Sequence, residues 1–256
     1  MKWPIPEVEP KSVEERQRYW EETHGKDDYA NVISLTDDPE VCRHTERTLS
    51  EYDAKRVLVP GCGSRTGLQE WLLARMPRIE ALVCTDFPAV VEQAASRFPH
   101  PAVEYRAANS TDLPWRDAFD AAVVVNSILS ESDRENRRIL ASIRRSLRAG
   151  GVLLGFFPTV FSSLEIAHVS NDQRRKDDLD LERSMKFEPA QKAFQIFYTP
   201  LRLRMILREA GFELVSMEIF FLDSEDLRRQ PGEWNEFTAD DDDLAIYEQY
   251  VVARAA

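Results

Sequence analysis

From Arg56 onward the apolar residues fall into short runs, separated by stretches in which they recur every three or four positions. "RVLVP" (56–60), "EALVCTD" (80–86), "VEYRAA" (103–108), "DAAVVVNS" (120–127) and "VLLGFFP" (152–158) read as strands, the third short and the fourth strongly buried. Between them, Leu68, Trp71, Leu72 and Met76 stand at helical spacing, and "PAVVEQAASRF" (88–98) begins with a proline that suits a first helical turn. "DRENRRILASIRRSLRAGG" (133–151) predicts a helix with Ile139, Leu140, Ile143 and Leu147 on one face, stopped by Gly150 and Gly151. "TPLRLRMILREAGFELVSMEIFF" (199–221) reads as a helix closed by Gly211 and then a strand, and "YEQYVVARA" (247–255) as a further strand. Strands alternating with helices of this length require parallel pairing through right-handed crossovers. The predicted fold is α/β, a doubly wound sheet that is mostly parallel, with an antiparallel edge strand near the C-terminus where two strands follow one another.

The ligand of such a sheet lies beyond the carboxyl ends of its strands, and the first strand-to-helix turn is its usual anchor. Here that turn is "PGCGSRTG" (60–67), in which Gly61 and Gly63 can take backbone angles closed to other residues and carry no side chain to block a ligand. Asp86 ends the second strand and precedes a proline-started helix, a position from which a carboxylate accepts both hydroxyls of a ribose. Turn and acid together predict a nucleotide-like ligand.

Composition narrows the partners. The 256 residues, 43% of them hydrophobic, suit one core of generous size. No run approaches the roughly 18 apolar residues of a membrane span, and "MKWPIPEVEPKS" lacks the apolar stretch of a signal peptide, so the expected location is cytoplasmic, with no membrane partner. A formal charge of −12 repels phosphate backbones and argues against nucleic acid. The arginines within 136–148 lie opposite the apolar face of their predicted helix and read as its solvated side. "ADDDD" (239–243) lacks the spacing, the Gly and the terminal Glu of a calcium loop. Cys42, Cys62 and Cys84 are odd in number and without CxxC spacing, so reduced thiols are expected, with no disulfide framework and no metal site.

In order and content these segments resemble the class I S-adenosylmethionine-dependent methyltransferases. "VLVPGCG" (57–63) resembles the first motif, in the PGCG form seen in the thiopurine methyltransferase group. "CTDFP" (84–88) resembles the acid motif of the second strand, "AANSTDLPW" (107–115) a segment more often written GDATDLPF, and "FDAAVVVNSILS" (119–130) the fourth-strand motif. "LRAGGVLLGFFP" (147–158) and "YTPLRLRMILREAGFELVSME" (198–218) are similar to the later helix and strand units. The resemblance implies a Rossmann-like methyltransferase sheet, S-adenosyl-L-methionine as cofactor with S-adenosyl-L-homocysteine as product, and methyl transfer to an O, N or S nucleophile of a small-molecule acceptor. By the same resemblance Gly61, Cys62 and Gly63 lie against the methionine part of the cofactor, Asp86 on its ribose and Phe87 beside its adenine. Asn109 stands where relatives usually have an Asp facing the adenine amino group, Ser110 offers a backbone amide to the ring, and Asn126 and Ser127 border the methyl group. This chain departs from the pattern twice. Val59 replaces an acid that many relatives carry two positions before the first glycine, and Arg65 takes the place of the third glycine, which is displaced to Gly67. Arg65 either pairs with the cofactor carboxylate or lies in solvent.

Transfer from a sulfonium needs alignment and exclusion of water, and a base only for acidic acceptors. Candidate bases are His24 and His168, with Tyr19 and Tyr29 as positioning groups. Residues 1–50 are expected to form an N-terminal helical cover and 51–256 the methyltransferase domain, with a lid-like insertion at about 159–199. The expected assembly is a monomer or homodimer. Two other functions share the turn: a nicotinamide-dependent oxidoreductase, which needs Gly where Thr66 stands, and a non-catalytic S-adenosylmethionine-binding partner subunit.

Overall fold

The structure is a computed structural model that describes residues 11–24, 35–169, 173–188, 193–222 and 247–256. Its centre is β1 (Arg56–Pro60), which pairs in parallel with β2 (Ala81–Asp86) on one side and β4 (Phe119–Val125) on the other. Beyond β2 lies β3 (Val103–Ala107), and beyond β4 lie β5 (Leu147–Pro158), then β10 (Tyr247–Ala255), then β9 (Phe212–Phe221), so the order is β3-β2-β1-β4-β5-β10-β9. β10 runs antiparallel to both its neighbours, one place in from the edge strand β9. The doubly wound, mostly parallel sheet with antiparallel pairing at its late edge is thus as the sequence predicts. Reversal of strand order on the two sides of β1 puts a crevice at the carboxyl ends of β1 and β4.

Alternation along the strands feeds two cores. Val57, Val59, Leu82, Cys84, Val123 and Leu154 face α2 (Pro39–Glu51), α3 (Gly67–Arg75) and α4 (Pro88–Arg97), while Leu58, Val83, Ala122, Val124 and Leu153 face α5 (Asp133–Ser146) and α8 (Pro200–Glu209). Strands covered on both faces read as continuous apolar runs, which is why "AAVVV" in β4 shows no alternation.

Two elements differ from expectation. The helix predicted to reach Gly150 ends at Ser146, because the carbonyls of Arg145 and Ser146 are taken by the N–H groups of Asp117 (3.0 Å) and Ala118 (2.9 Å) leading into β4. Leu147 then pairs with Phe119, and the extra residues before Val152 form a bulge carried by Gly150 at φ +76°. The 159–199 insertion carries α6 (Val160–Val169), α7 (Gln173–Asp177) and a small antiparallel sheet of β6 (Leu179–Asp180), β7 (Met185–Glu188) and β8 (Ala193–Ile196). Met185 and Ile196 anchor it in the second core, and the N–H of Ile196 reaches the carbonyl of Ser130 just past β4. Among the described residues no helix is long and apolar enough to cross a membrane.

Candidate active site

The first turn is built by clamping two strand ends while the backbone reverses. The N–H groups of Gly61 and Cys62 both donate to the carbonyl of Thr85, at 2.7 and 3.1 Å, so β1 stays tied to β2 past its last residue. Gly61 and Gly63 each stand at φ +68°, in the left-handed region that side chains disfavour. A Cβ on Gly61 would also lie 2.5 Å from Cβ of Ser127, whose hydroxyl donates to the carbonyl of Pro60 at 2.9 Å. The carboxyl ends of β1, β2 and β4 therefore meet at one point with no room for a larger residue.

Asp86 locks this junction. One carboxylate oxygen accepts the N–H of Gly63 at 2.9 Å and the other accepts the N–H of Phe87 at 2.8 Å, which leaves each oxygen a lone pair for a further donor. Burial pushes its carboxyl above the usual range, and the two backbone bonds pull it back. Cys62 contributes only backbone to the open side, because its side chain is buried and its thiol reaches inward to the carbonyl of Gly63. A hydrogen bond with Cys84 and burial raise that thiol, and burial pushes the Cys42 thiol up to about 12, so neither is a thiolate at neutral pH. Cys42, Cys62 and Cys84 are all free and buried.

The other predicted residues are placed as follows. Phe87 is half-buried where α4 begins. Asn109 is exposed, and its amide oxygen accepts from the N–H (3.0 Å) and hydroxyl (2.9 Å) of Thr111, capping a short turn that starts at Ser110. That oxygen is engaged within the loop, which leaves the Asn109 amide N–H groups to face outward. Arg65 does not lie loose in solvent: its Nε pairs with Asp37 at 3.2 Å, and the other Asp37 oxygen takes the N–H of Gly67 at 3.0 Å. Burial raises the Asp37 carboxyl, and Arg65 opposes that shift. Asn126, at φ +47°, ends β4 in the left-handed conformation that Asn tolerates, and its amide donates to Glu248 on β10 at 2.7 Å. Burial pushes the Glu248 carboxyl up to about 7.

Of the candidate bases, His24 is the last residue of α1 (Val13–His24) and Tyr29 lies outside the described residues. His168 is exposed near the end of α6, while Tyr19 is half-buried on α1 against Trp20. α1 packs on α4 and crosses the carboxyl edge: the N–H of Lys11 donates to Glu131 after β4 at 2.6 Å, Arg16 pairs with Glu135, and Glu21 accepts the N–H of Ala89 after β2 at 3.4 Å. No group of three His, Cys, Asp or Glu among the described residues could hold a metal ion.

Residues 58–155, the stretch from β1 to β5 that builds this junction, match the family model described as a methyltransferase domain. Over this stretch the chain is similar to methyltransferase domains, and it shares its fold with solved methyltransferases. An S-adenosylmethionine-dependent methyltransferase from Methanosarcina mazei is 17% identical, with 81% of this chain and 96% of that one covered, at a TM-score of 0.59. The N-methyltransferase NodS from Bradyrhizobium japonicum, solved with S-adenosylhomocysteine, is 15% identical over 93% of this chain and 97% of its own, at 0.58. A methyltransferase from Mesorhizobium loti is 15% identical over 85% and 99%, at 0.59. No curated protein matches the sequence.

The site also draws on residues that pattern reading passed over. Asp37 precedes the matched stretch and is tied to α3 only by the fold. Glu248 left one signal, an acid next to the apolar centre of the strand "YEQYVVARA", at the end that joins the carboxyl edge.

Proposed function

We propose that the chain transfers the methyl group of S-adenosylmethionine to an O, N or S nucleophile of a small-molecule acceptor. The observation that carries this reading is the junction at 61–63. Two left-handed glycines face a carboxylate that holds the turn through Gly63 and keeps lone pairs for a ribose diol. Asp86 would hold the ribose, the backbone of Gly61, Cys62 and Gly63 the methionine part, Phe87 the adenine face, and Ser110 and Asn109 the adenine edge. Asn126 and Ser127 would border the methyl group, and Arg65, kept in place by Asp37, would stand near the cofactor carboxylate. The neighbour solved with S-adenosylhomocysteine supports the cofactor, and the PGCG form of the turn, shared with the thiopurine methyltransferase group, supports a small acceptor. The net charge of −12 favours such acceptors over nucleic acid.

A sulfonium supplies a methyl group already activated toward nucleophiles, so the chain's own task is to align the acceptor and exclude water. α1 and the insertion carrying α6 and β6–β8 border the carboxyl edge and are the proposed cover. The test is calorimetry with S-adenosylhomocysteine. Asp86→Ala removes two charge-assisted hydrogen bonds worth about 1.5–3 kcal/mol each, so affinity should fall by about 100-fold or more. Unchanged affinity would remove Asp86 from the site, and an intact protein that binds a nicotinamide cofactor instead would overturn the reading.

A further inference from the structure

At the carboxyl edge, beside the junction, the structure buries a carboxylate with no cation on it among the described residues. Glu248 is 2% exposed and sits on β10 opposite Pro158 of β5 and Phe220 of β9. One of its oxygens takes the amide of Asn126 at 2.7 Å. The other, Oε2, has no hydrogen-bond partner among the described residues, and neither does Oδ1 of Asn126. Buried acceptors left without donors are costly and rare, so two on adjoining side chains call for an explanation. Asn126 is followed by Ser127, which lies against Gly61, so these acceptors stand next to the place where the cofactor's methionine end is proposed to lie.

Two acceptors without a donor call for a group with at least two hydrogens to give. A hydroxyl or thiol has one, whereas a primary ammonium has three and a secondary ammonium two. Resting on the function proposed above, we propose that Glu248 Oε2 and Asn126 Oδ1 form the subsite for an amino group of the methyl acceptor, and that Glu248 takes the proton which that nitrogen sheds. The proton passes from the acceptor's ammonium to the carboxylate at Oε2, leaving a neutral amine whose electron pair is free to take the methyl group. A carboxyl that titrates at about 7 in the folded protein is poised for this exchange near neutral pH. The titratable groups beside it along β10 are Tyr247, which Glu165 of α6 faces, and Tyr250, in ring contact with His44 of α2. Burial raises both tyrosines to about 12, so they stay neutral at neutral pH. The acidic surface of the chain draws cationic acceptors toward it.

The test uses the full chain, Glu248→Gln, which keeps the shape, and Glu248→Asp, which keeps the charge. Labelled S-adenosylmethionine is turned over against a pool of primary and secondary amines and a matched pool of alcohols and thiols, and S-adenosylhomocysteine affinity is measured by calorimetry. Label should enter the amine pool and not the matched pool. Glu248→Gln should cut that rate by about 100-fold while holding S-adenosylhomocysteine affinity within about twofold, and Glu248→Asp should recover part of it. Label entering only alcohols or thiols, label entering neither pool, or a Glu248→Gln variant at full rate would overturn the inference, while leaving the cofactor site in place as long as S-adenosylhomocysteine still binds. A loss of about tenfold or more in S-adenosylhomocysteine affinity would instead assign the subsite to the cofactor's own amino group, which also overturns it. Wild-type protein that binds no S-adenosylhomocysteine would defeat the parent reading itself.

Discussion

Gly61 answers to two separate constraints, a left-handed backbone and the side chain of Ser127. Gly61→Ala pays about 1–2 kcal/mol for the backbone alone and must also displace Ser127, so the variant should melt several degrees lower and bind S-adenosylhomocysteine poorly. Adding Ser127→Gly should return the part due to overlap and not the part due to backbone, a split that a double-mutant cycle reads directly. Glu248 gives a prediction of opposite character, because burial makes its charge a burden on the fold. Its pKa rises from 4.5 unfolded to about 7 folded, so the folded protein holds a proton that the unfolded chain has already lost. Stability therefore falls as pH rises through that window, by about 3 kcal/mol, and is level above it. Urea unfolding should show Glu248→Gln more stable than wild type above neutral pH and the gap closing toward pH 4.5. A gap that ignores pH would mean that Glu248 is not buried as an acid.

At the scale of elements, strands and helices follow from apolar spacing because the sheet is covered on both faces, and the turn at 61–67 follows from its glycines. The boundary of α5 does not, since Ser146 ends the helix through bonds to Ala118, which lies far back in the chain. The little sheet of the insertion was equally hidden: "SNDQRRKDDLDLERS" looks solvated, and among the described residues of β6–β8 the core members are Met185 and Ile196. Helix α5 conceals a polar network as well. Asn136, fully buried, accepts the N–H of Ser130 at 2.9 Å, and its amide gives to the carbonyl of Ser130 at 3.1 Å and to the hydroxyl of Tyr198 at 3.3 Å. The Tyr198 hydroxyl in turn donates a hydrogen bond to Asp133 at 2.7 Å. A sequence pattern shows an Asn among arginines and gives no hint that it holds the exit of β4 to the insertion. Asn136→Ala should strand the polar groups of Ser130 and cost about 1–3 kcal/mol, seen as a lower urea midpoint with unchanged slope. A neutral outcome would mean that the network does not hold the loop that carries Ser127.

Over the whole molecule, the sheet supplies the proposed cofactor site but no roof, and a methyl group exposed to water would lose both alignment and dryness. α1 has the reach to form one: its twelve residues span about 18 Å, while three neighbouring strands occupy about 10 Å. Its anchors lie at opposite sides of the crevice, Glu131 and Glu135 after β4 and Ala89 after β2, so the helix passes across β1 between them. These contacts are few and mostly polar, which makes α1 a segment that opens at low cost compared with the core. Hydrogen exchange on the intact protein should therefore show α1 and the backbone of 160–169 gaining protection when S-adenosylhomocysteine binds, with the strands unchanged. Arg16→Glu sets two carboxylates against each other at Glu135 and should loosen α1 without lowering the unfolding midpoint of the core. Cofactor affinity in that variant should drop and transfer should drop further, because the roof acts on the reacting geometry as well as on binding. Should Arg16→Glu transfer methyl groups at the full rate, or α1 exchange ignore the ligand, the roof must be sought in another part of the chain.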